Sequence, residues 1–167
     1  DITYFSKNRV LTLGSITPVP FVYYRGSREK GILFGGISKC LIHESVIRVF
    51  KENQFTGWDT FPIEAYDKSN KKLEGYYGLF VKGRCGKIID SWSPIEERPS
   101  PAGFMRPVKV GLYFEPDSWD GSDIFSPDGT TAIFVTKRVK ETIERLKINT
   151  VIFENITETT RIYTIKN

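Results

Sequence analysis

Apolar residues recur at two different periods along the chain. Short aromatic or β-branched runs bounded by breakers predict strands at Phe21–Val22–Tyr23–Tyr24, between Pro18/Pro20 and Gly26, and at Ile32–Leu33–Phe34, between Gly31 and Gly35–Gly36. From Leu41 to Asn53 the period changes: Ile42, Val46, Val49 and Phe50 recur at spacings of three and four, which predicts a helix with one apolar stripe. Thr56–Gly57 is a turn signal, followed by an expected strand through Trp58, Phe61 and Ile63.

The middle of the chain predicts a meander. Ile63 to Tyr66 leads to the polar turn Asp67–Lys68–Ser69–Asn70, and Tyr76 to Val81 forms a strand. Gly83 and Gly86 mark a turn, with Lys87–Ile88–Ile89–Asp90 as the returning partner. Four prolines (Pro94, Pro99, Pro101, Pro107) and Gly103 between Ser93 and Pro107 predict a loop, because proline supplies no backbone N–H to a ladder. Val108 to Phe114 resumes a strand pattern, and Glu115 to Gly129 is a polar loop carrying Asp117, Asp120, Asp123 and Asp128.

Ala132 to Val135 predicts a strand, Thr136 an N-cap, and Val139, Ile143 and Leu146 the apolar face of a second helix. Glu141–Arg145 and Glu144–Lys147 have the helix-supporting order, and Asn149 suits a left-handed helix end. Val151–Ile152–Phe153 and Arg161 to Ile165 are the expected last strands. With an offset of 93, Val46 falls on Val139, Phe50 on Ile143, Phe55 on Ile148 and Ile63 on Ile156. Either a strand–helix–strand unit is duplicated, or two amphipathic helices coincide. The expectation is one α+β domain over residues 1–167: a mostly antiparallel twisted sheet with two amphipathic helices.

Composition narrows the class more than the function. The chain is 40% hydrophobic and 14% aromatic, enough for a core and unlike a disordered segment. No apolar run approaches the roughly 18 residues of a membrane span, and no basic start with an apolar stretch marks a secretory signal. A net charge of +4 without a run of five or six basic residues gives no strong case for nucleic acid. The densest basic patches, Lys68–Lys71–Lys72 and Lys137–Arg138–Lys140, suit solvated faces. Cys40 and Cys85, 45 positions apart in apolar contexts, are expected as buried free thiols. One histidine and no paired thiols leave no zinc site, and no cofactor is expected.

Catalytic chemistry has few candidates. His43 adjoins Glu44 and Ser45, but neighbours on a helix point apart, so adjacency makes no triad. The run from Gly83 to Lys87 resembles a phosphate clamp but lies between predicted strands, where a hairpin turn suffices. Asp117, Asp120, Asp123 and Asp128 would suit a hard cation, although their spacing is not that of an EF-hand and an acidic surface loop needs no metal. Trp58 and Trp92 flank strands and are expected as plugs on the core; Trp119, among polar neighbours, is either a plug or an exposed anchor for a partner.

Gly75 to Val81, followed by Ile88–Ile89–Asp90–Ser91–Trp92–Ser93, resembles the central strand pair of a family of bacterial immunity proteins encoded beside polymorphic toxins. The tail Ile133 to Thr136, Val139, Ile143, Leu146 and Val151 to Phe153 is similar to that family's closing strand–helix–strand unit. The family's usual last-turn glycine is replaced by Asn149–Thr150, and the segment from Pro94 to Pro107 is unusually rich in proline. The resemblance implies a cytoplasmic, non-enzymatic inhibitor that binds a cognate protein toxin and occludes its functional surface, with neither nucleic acid nor membrane as partner. Interface energy would concentrate in a few aromatic and arginine anchors: Trp119 with Asp117, Asp120 and Asp123 first, then Arg98 and Arg106. The rival expectations are a hydrolase or glycan-acting enzyme using the aspartates of residues 115–128, and a glycan- or nucleic-acid-binding module using tyrosines with lysines.

Overall fold

The computed structural model describes residues 3–6, 9–12, 19–22, 31–34, 40–67, 69–148 and 150–163. In chain order they form β1 (Thr3–Ser6), β2 (Arg9–Thr12), β3 (Val19–Val22), β4 (Ile32–Phe34), β5 (Cys40–His43), α1 (Glu44–Glu52), β6 (Trp58–Phe61), β7 (Ile63–Tyr66), β8 (Tyr76–Val81) and β9 (Gly83–Cys85). There follow β10 (Ile95–Pro99), β11 (Met105–Val110), β12 (Ile124–Pro127), β13 (Phe134–Val135), α2 (Lys137–Arg145) and β14 (Thr160–Ile162), with 3-10 turns at Asp90–Trp92 and Pro116–Ser118. The α+β class is as expected, but the strands divide among separate sheets. The largest is antiparallel in the order β4-β5-β8-β6; a second is β10-β11-β14, and a third is β13-β12-β9. Most pairs are antiparallel, while β9 with β12 and β3 with β7 run parallel.

His43 ends β5 and caps α1, its Nδ1 accepting from the Ser45 amide at 3.2 Å. Glu44 in the first turn and Lys51 in the last oppose the helix dipole in the stabilising sense. At the C-terminus Gln54 takes φ 54°, Phe55 N–H donates to the Phe50 carbonyl and Gln54 N–H to that of Lys51. This is a Schellman closure, which satisfies carbonyls the helix leaves free.

The offset of 93 is repeated in three dimensions. α2 begins 93 residues after α1 and is equally long, with Thr136 at the N-cap where α1 has His43. Lys147 has φ 54° as Gln54 does, and Ile148 N–H and Lys147 N–H return to the carbonyls of Ile143 and Glu144. Each helix is preceded by a hairpin, β4–β5 or β12–β13, and the cap amides of His43 and Thr136 donate to Gly31 and Asp123 carbonyls respectively. The units are also joined reciprocally. Ile124 N–H, at the start of β12, donates to the Thr56 carbonyl just past α1, and Ile32 N–H, at the start of β4, donates to Thr150 Oγ1 just past α2. Ile42, Val46 and Phe50 from one unit and Ile124, Val139 and Ile143 from the other share one buried core. The repeat stops there. Val151 to Phe153 forms no strand, so β6 has no counterpart, and Asn149 lies outside the described residues. The ion pairs along α2 are Lys137–Glu141 and Lys140–Glu144 in place of the expected Glu141–Arg145 and Glu144–Lys147; Lys147 lies past the end of the helix.

Three other expectations are corrected. Lys87 to Asp90 does not return along β8: β8 lies between β5 and β6, and β9 leaves it to run parallel to β12. Residues 124–127 of the expected acidic loop are that strand, buried because Ile124 and Phe125 belong to the core clusters. The proline-rich segment is a β-hairpin, β10–β11. Val110 N–H donates to Pro94 and Ser100 N–H to Phe104, so the even-numbered residues of β10 make the inward hydrogen bonds. Pro99 and Pro107 occupy the alternate positions, whose N–H would point out of the β10–β11 ladder. Pro101 sits in the tip turn closed by Gly103 N–H to the Ser100 carbonyl, with Gly103 at φ 85°.

Cys40 and Cys85 are buried free thiols, as expected. Burial pushes the Cys40 thiol up to about 12, and Cys85 is raised by burial and then by the carboxylates of Asp128 and Asp120. Both therefore remain thiols near neutral pH and behave as small core hydrophobes.

Candidate functional site

Four of the six anchor candidates lie between β11 and β12. Asp117 is exposed in the 3-10 turn of Pro116–Ser118. Trp119 follows it; its indole N–H donates to the Ser122 carbonyl at 3.1 Å and its ring lies 5.4 Å from that of Phe125. Trp119 is thus tethered to the core edge with one side left in water. Trp92, by contrast, is about half exposed and does not plug the core.

Asp120 and Asp123 are turned to internal tasks. Asp120 accepts from the Arg84 amide at 2.8 Å, the Ser122 amide at 3.0 Å and the Ser122 hydroxyl, fastening the loop to β9. Partial burial raises its pKa, but these hydrogen bonds outweigh burial and hold the carboxyl below its ordinary value. A depressed folded pKa stabilises above the unfolded value and loses that contribution as pH falls through the folded one. The stability difference between wild type and Asp120→Ala is therefore expected at about 1 kcal/mol near neutrality, since the group is largely solvated, and to vanish in strong acid. Urea midpoints measured from about pH 7 to pH 2 check this; a difference that persists in acid contradicts it.

Asp123 is buried and does not contribute an exposed anion. One carboxylate oxygen accepts from the Thr56 amide (3.0 Å) and hydroxyl (3.2 Å); the other accepts from the Thr136 hydroxyl at 3.1 Å and pairs with Arg138 Nε at 3.1 Å. It thereby ties the chain beyond α1 to the start of α2. Arg138 is further placed by the Asn53 carbonyl and by the Phe55 ring, 4.8 Å away. Among the described residues no group of three His, Cys, Asp or Glu is placed to hold a metal ion. No described helix is long and apolar enough to cross a membrane.

The remaining two candidates are brought together by the hairpin. Arg98 on β10 lies directly opposite Arg106 on β11. Arg98 pairs with Glu96 at 2.6 Å, whereas Arg106 makes no ion pair with a described residue and its buried Nε has no hydrogen-bond partner. The hairpin also exposes large apolar side chains that sequence reasoning missed: Phe104, opposite Ser100 and on the arginines' face, is 60% exposed, while Met105 at 58% and Ile95 at 53% are exposed on the other face. The signal that would have found them is the turn Ser100–Pro101–Ala102–Gly103 flanked by two short alternating runs. At the base of this sheet Asp90 is held by Lys109 and Arg161, with Lys109 also 5.4 Å from the Tyr163 ring. The hydrogen bonds from Lys109 and Arg161 keep the Asp90 carboxyl below its ordinary value.

No family model and no curated protein matches the chain. The geometry alone therefore defines the candidate surface: the far half of the β10–β11 hairpin, with the half-exposed Trp119 and Asp117 as a second exposed feature on a different element.

Proposed function

We propose that the protein is an immunity-type inhibitor, which binds a cognate bacterial toxin in the cytoplasm and covers its functional surface without chemistry of its own. The observation that supports this reading is the hairpin end, where Phe104 is exposed on the face of the opposed Arg98 and Arg106, and Met105 and Ile95 are exposed on the other face. Aromatic, Met and Arg side chains are the types enriched at protein interfaces, and apolar groups grouped in water carry a cost that a docked partner removes. The double anchoring of the hairpin through β11 to β14, and of β14 to Asp90 through Arg161, holds the surface on a formed sheet rather than on a loose loop. The hydrogen bonds that occupy Asp120 and Asp123 also favour binding over loop-aspartate catalysis.

Co-expression with the toxin encoded by the adjacent gene tests the proposal. Cells carrying both are expected to grow, and cells carrying the toxin alone to stop. Failure of the wild-type chain to rescue growth, with both proteins present and folded, rejects the reading.

A further inference from the structure

The two hairpin–helix units differ in one strand. In the first unit β8 lies between β5 and β6 and is antiparallel to both. In the second unit β13 is the outermost strand of its sheet, and no described strand pairs beyond it. The matching ladders end at α2, yet single contacts on either side of the next run keep the offset of 93. Before it, Ile148 N–H closes α2 onto the Ile143 carbonyl as Phe55 N–H closes α1 onto that of Phe50. After it, Leu112 N–H donates to the Ile156 carbonyl, at the positions that correspond to the Val19–Ile63 pair of β3 and β7. Residues 151–154 thus follow α2 as β6 follows α1, and no described strand holds the place of β8.

The edge that faces this place is open. Thr136 N–H donates to the Asp123 carbonyl, so Phe134 and Thr136 turn their backbone groups to β12 and Val135 turns its own away. Val135 stands 93 positions past Ile42, whose backbone groups face Tyr77 of β8 by the same parity. Among the described residues nothing hydrogen-bonds the Val135 N–H or C=O, nor the backbone of Val151, Ile152 or Phe153. The side chains fit the same account. Ile133, Val135, Val151 and Phe153 pack on the core shared by both helices, and Phe134 belongs to the cluster of Cys85 and Phe125. Ile152 is 89% exposed, where the first unit has Asp59 opposite Phe80 of β8.

From this mismatch we infer that the outer edge of β13 is a strand-docking site: an extended segment of the toxin pairs antiparallel with β13, as β8 pairs with β5, and covers Ile152. The inference rests on the proposed function, which supplies the donor, and names the form of segment this edge receives. An unpaired strand edge is a template for such addition, in which main-chain bonds give affinity and alternate side chains give selectivity. The segment is apolar on both faces, since β8 sends Leu79 and Val81 to the shared core and Tyr76 to the cluster of Leu41 and Ala65. The other outer strands of the three- and four-stranded sheets suit this place less well. β6, β9, β10 and β14 carry Asp59, Arg84, Glu97 and Arg161, and Ile32 of β4 is already bonded to Thr150. A second copy is therefore a weaker donor than a toxin strand.

The toxin domain encoded beside the gene is the probe. The Val135 amide is expected to exchange with deuterium quickly in the free chain and at least about 10-fold more slowly in the complex. In calorimetry Ile152→Lys, at a position open to water in the free chain, is expected to weaken binding by about 10-fold or more. Val135→Pro, which removes an N–H that β12 does not use, is expected to weaken it similarly. Thermal midpoints of the free variants check folding, and Ile152→Lys carries the test if Val135→Pro melts below wild type. A Val135 amide that stays unprotected in the complex, or wild-type affinity in Ile152→Lys, overturns the inference. So does a dimer of the free chain that Ile152→Lys abolishes in sedimentation, which makes a second copy the occupant. If the wild-type chain does not bind the toxin, the proposed function fails; if it binds while Val135 stays unprotected, the strand-docking site alone fails.

Discussion

Replacing Asp123 with alanine is expected to lower the unfolding free energy by about 4 kcal/mol, measured by urea denaturation. The substitution removes the acceptor for the Thr56 amide, the Thr56 hydroxyl, the Thr136 hydroxyl and Arg138 together. Hydrogen bonds to an ionised group are worth about 1.5–3 kcal/mol each, and they do not add fully when they share one carboxylate. Arg138 is more than half exposed, so its share is screened; the greater part comes from the amide and hydroxyls left without an acceptor. Asp123→Asn keeps an oxygen in place and is expected to cost about half as much. Equal losses in the two variants would show that shape rather than hydrogen bonding holds this joint. A loss below about 1 kcal/mol in Asp123→Ala would show that Thr56 and Thr136 find other partners.

Phe50→Ala is the second large effect, expected at about 4 kcal/mol. Phe50 is 1% exposed, and its ring stands edge-on to Phe55 at 5.5 Å and to Trp58 at 5.2 Å. Truncation forfeits the transfer of an aromatic ring from water, the ring–ring contacts, and the packing around the space it leaves. The backbone nearby has little freedom to close that space, because the Phe50 carbonyl accepts from Phe55 N–H in the closure of α1. Phe50→Leu, which refills most of the volume, is expected to lose only about 1–2 kcal/mol. A thermal midpoint falling by the same amount in both variants would assign the site to the aromatic pairs alone.

These two positions also show what the amino-acid order makes legible. Phe50 is readable as core because α1 is amphipathic at period 3.6, and local periodicity needs no knowledge of distant chain. The same holds for α2 and for Thr136 as its cap. Asp123 reads as one more surface acid, since Thr56, its principal partner, lies 67 positions away. Distance along the chain likewise hides strand partners. Val151 to Phe153 has the residue types of a strand, and Ile152 is exposed between half-buried neighbours, yet no ladder receives it. The hairpin is hidden for a different reason: prolines read as breakers are tolerated where the missing N–H points out of the β10–β11 ladder, as at Pro99 and Pro107, and that parity is set by the turn. Thus Arg98 and Arg106 are legible as candidates, while their pairing and the exposed apolar side chains of the same hairpin depend on a register that only the folded sheet displays.

The crossed hydrogen bonds between the two hairpin–helix units carry a consequence for cooperativity. The Ile32 amide is capped by Thr150, past α2, and the Ile124 amide by Thr56, past α1, so each half supplies a closing contact that the other lacks. Fraying at one end of the chain exposes the opening strand of the opposite half, and denaturant would dissolve both in a single all-or-none step rather than one after the other.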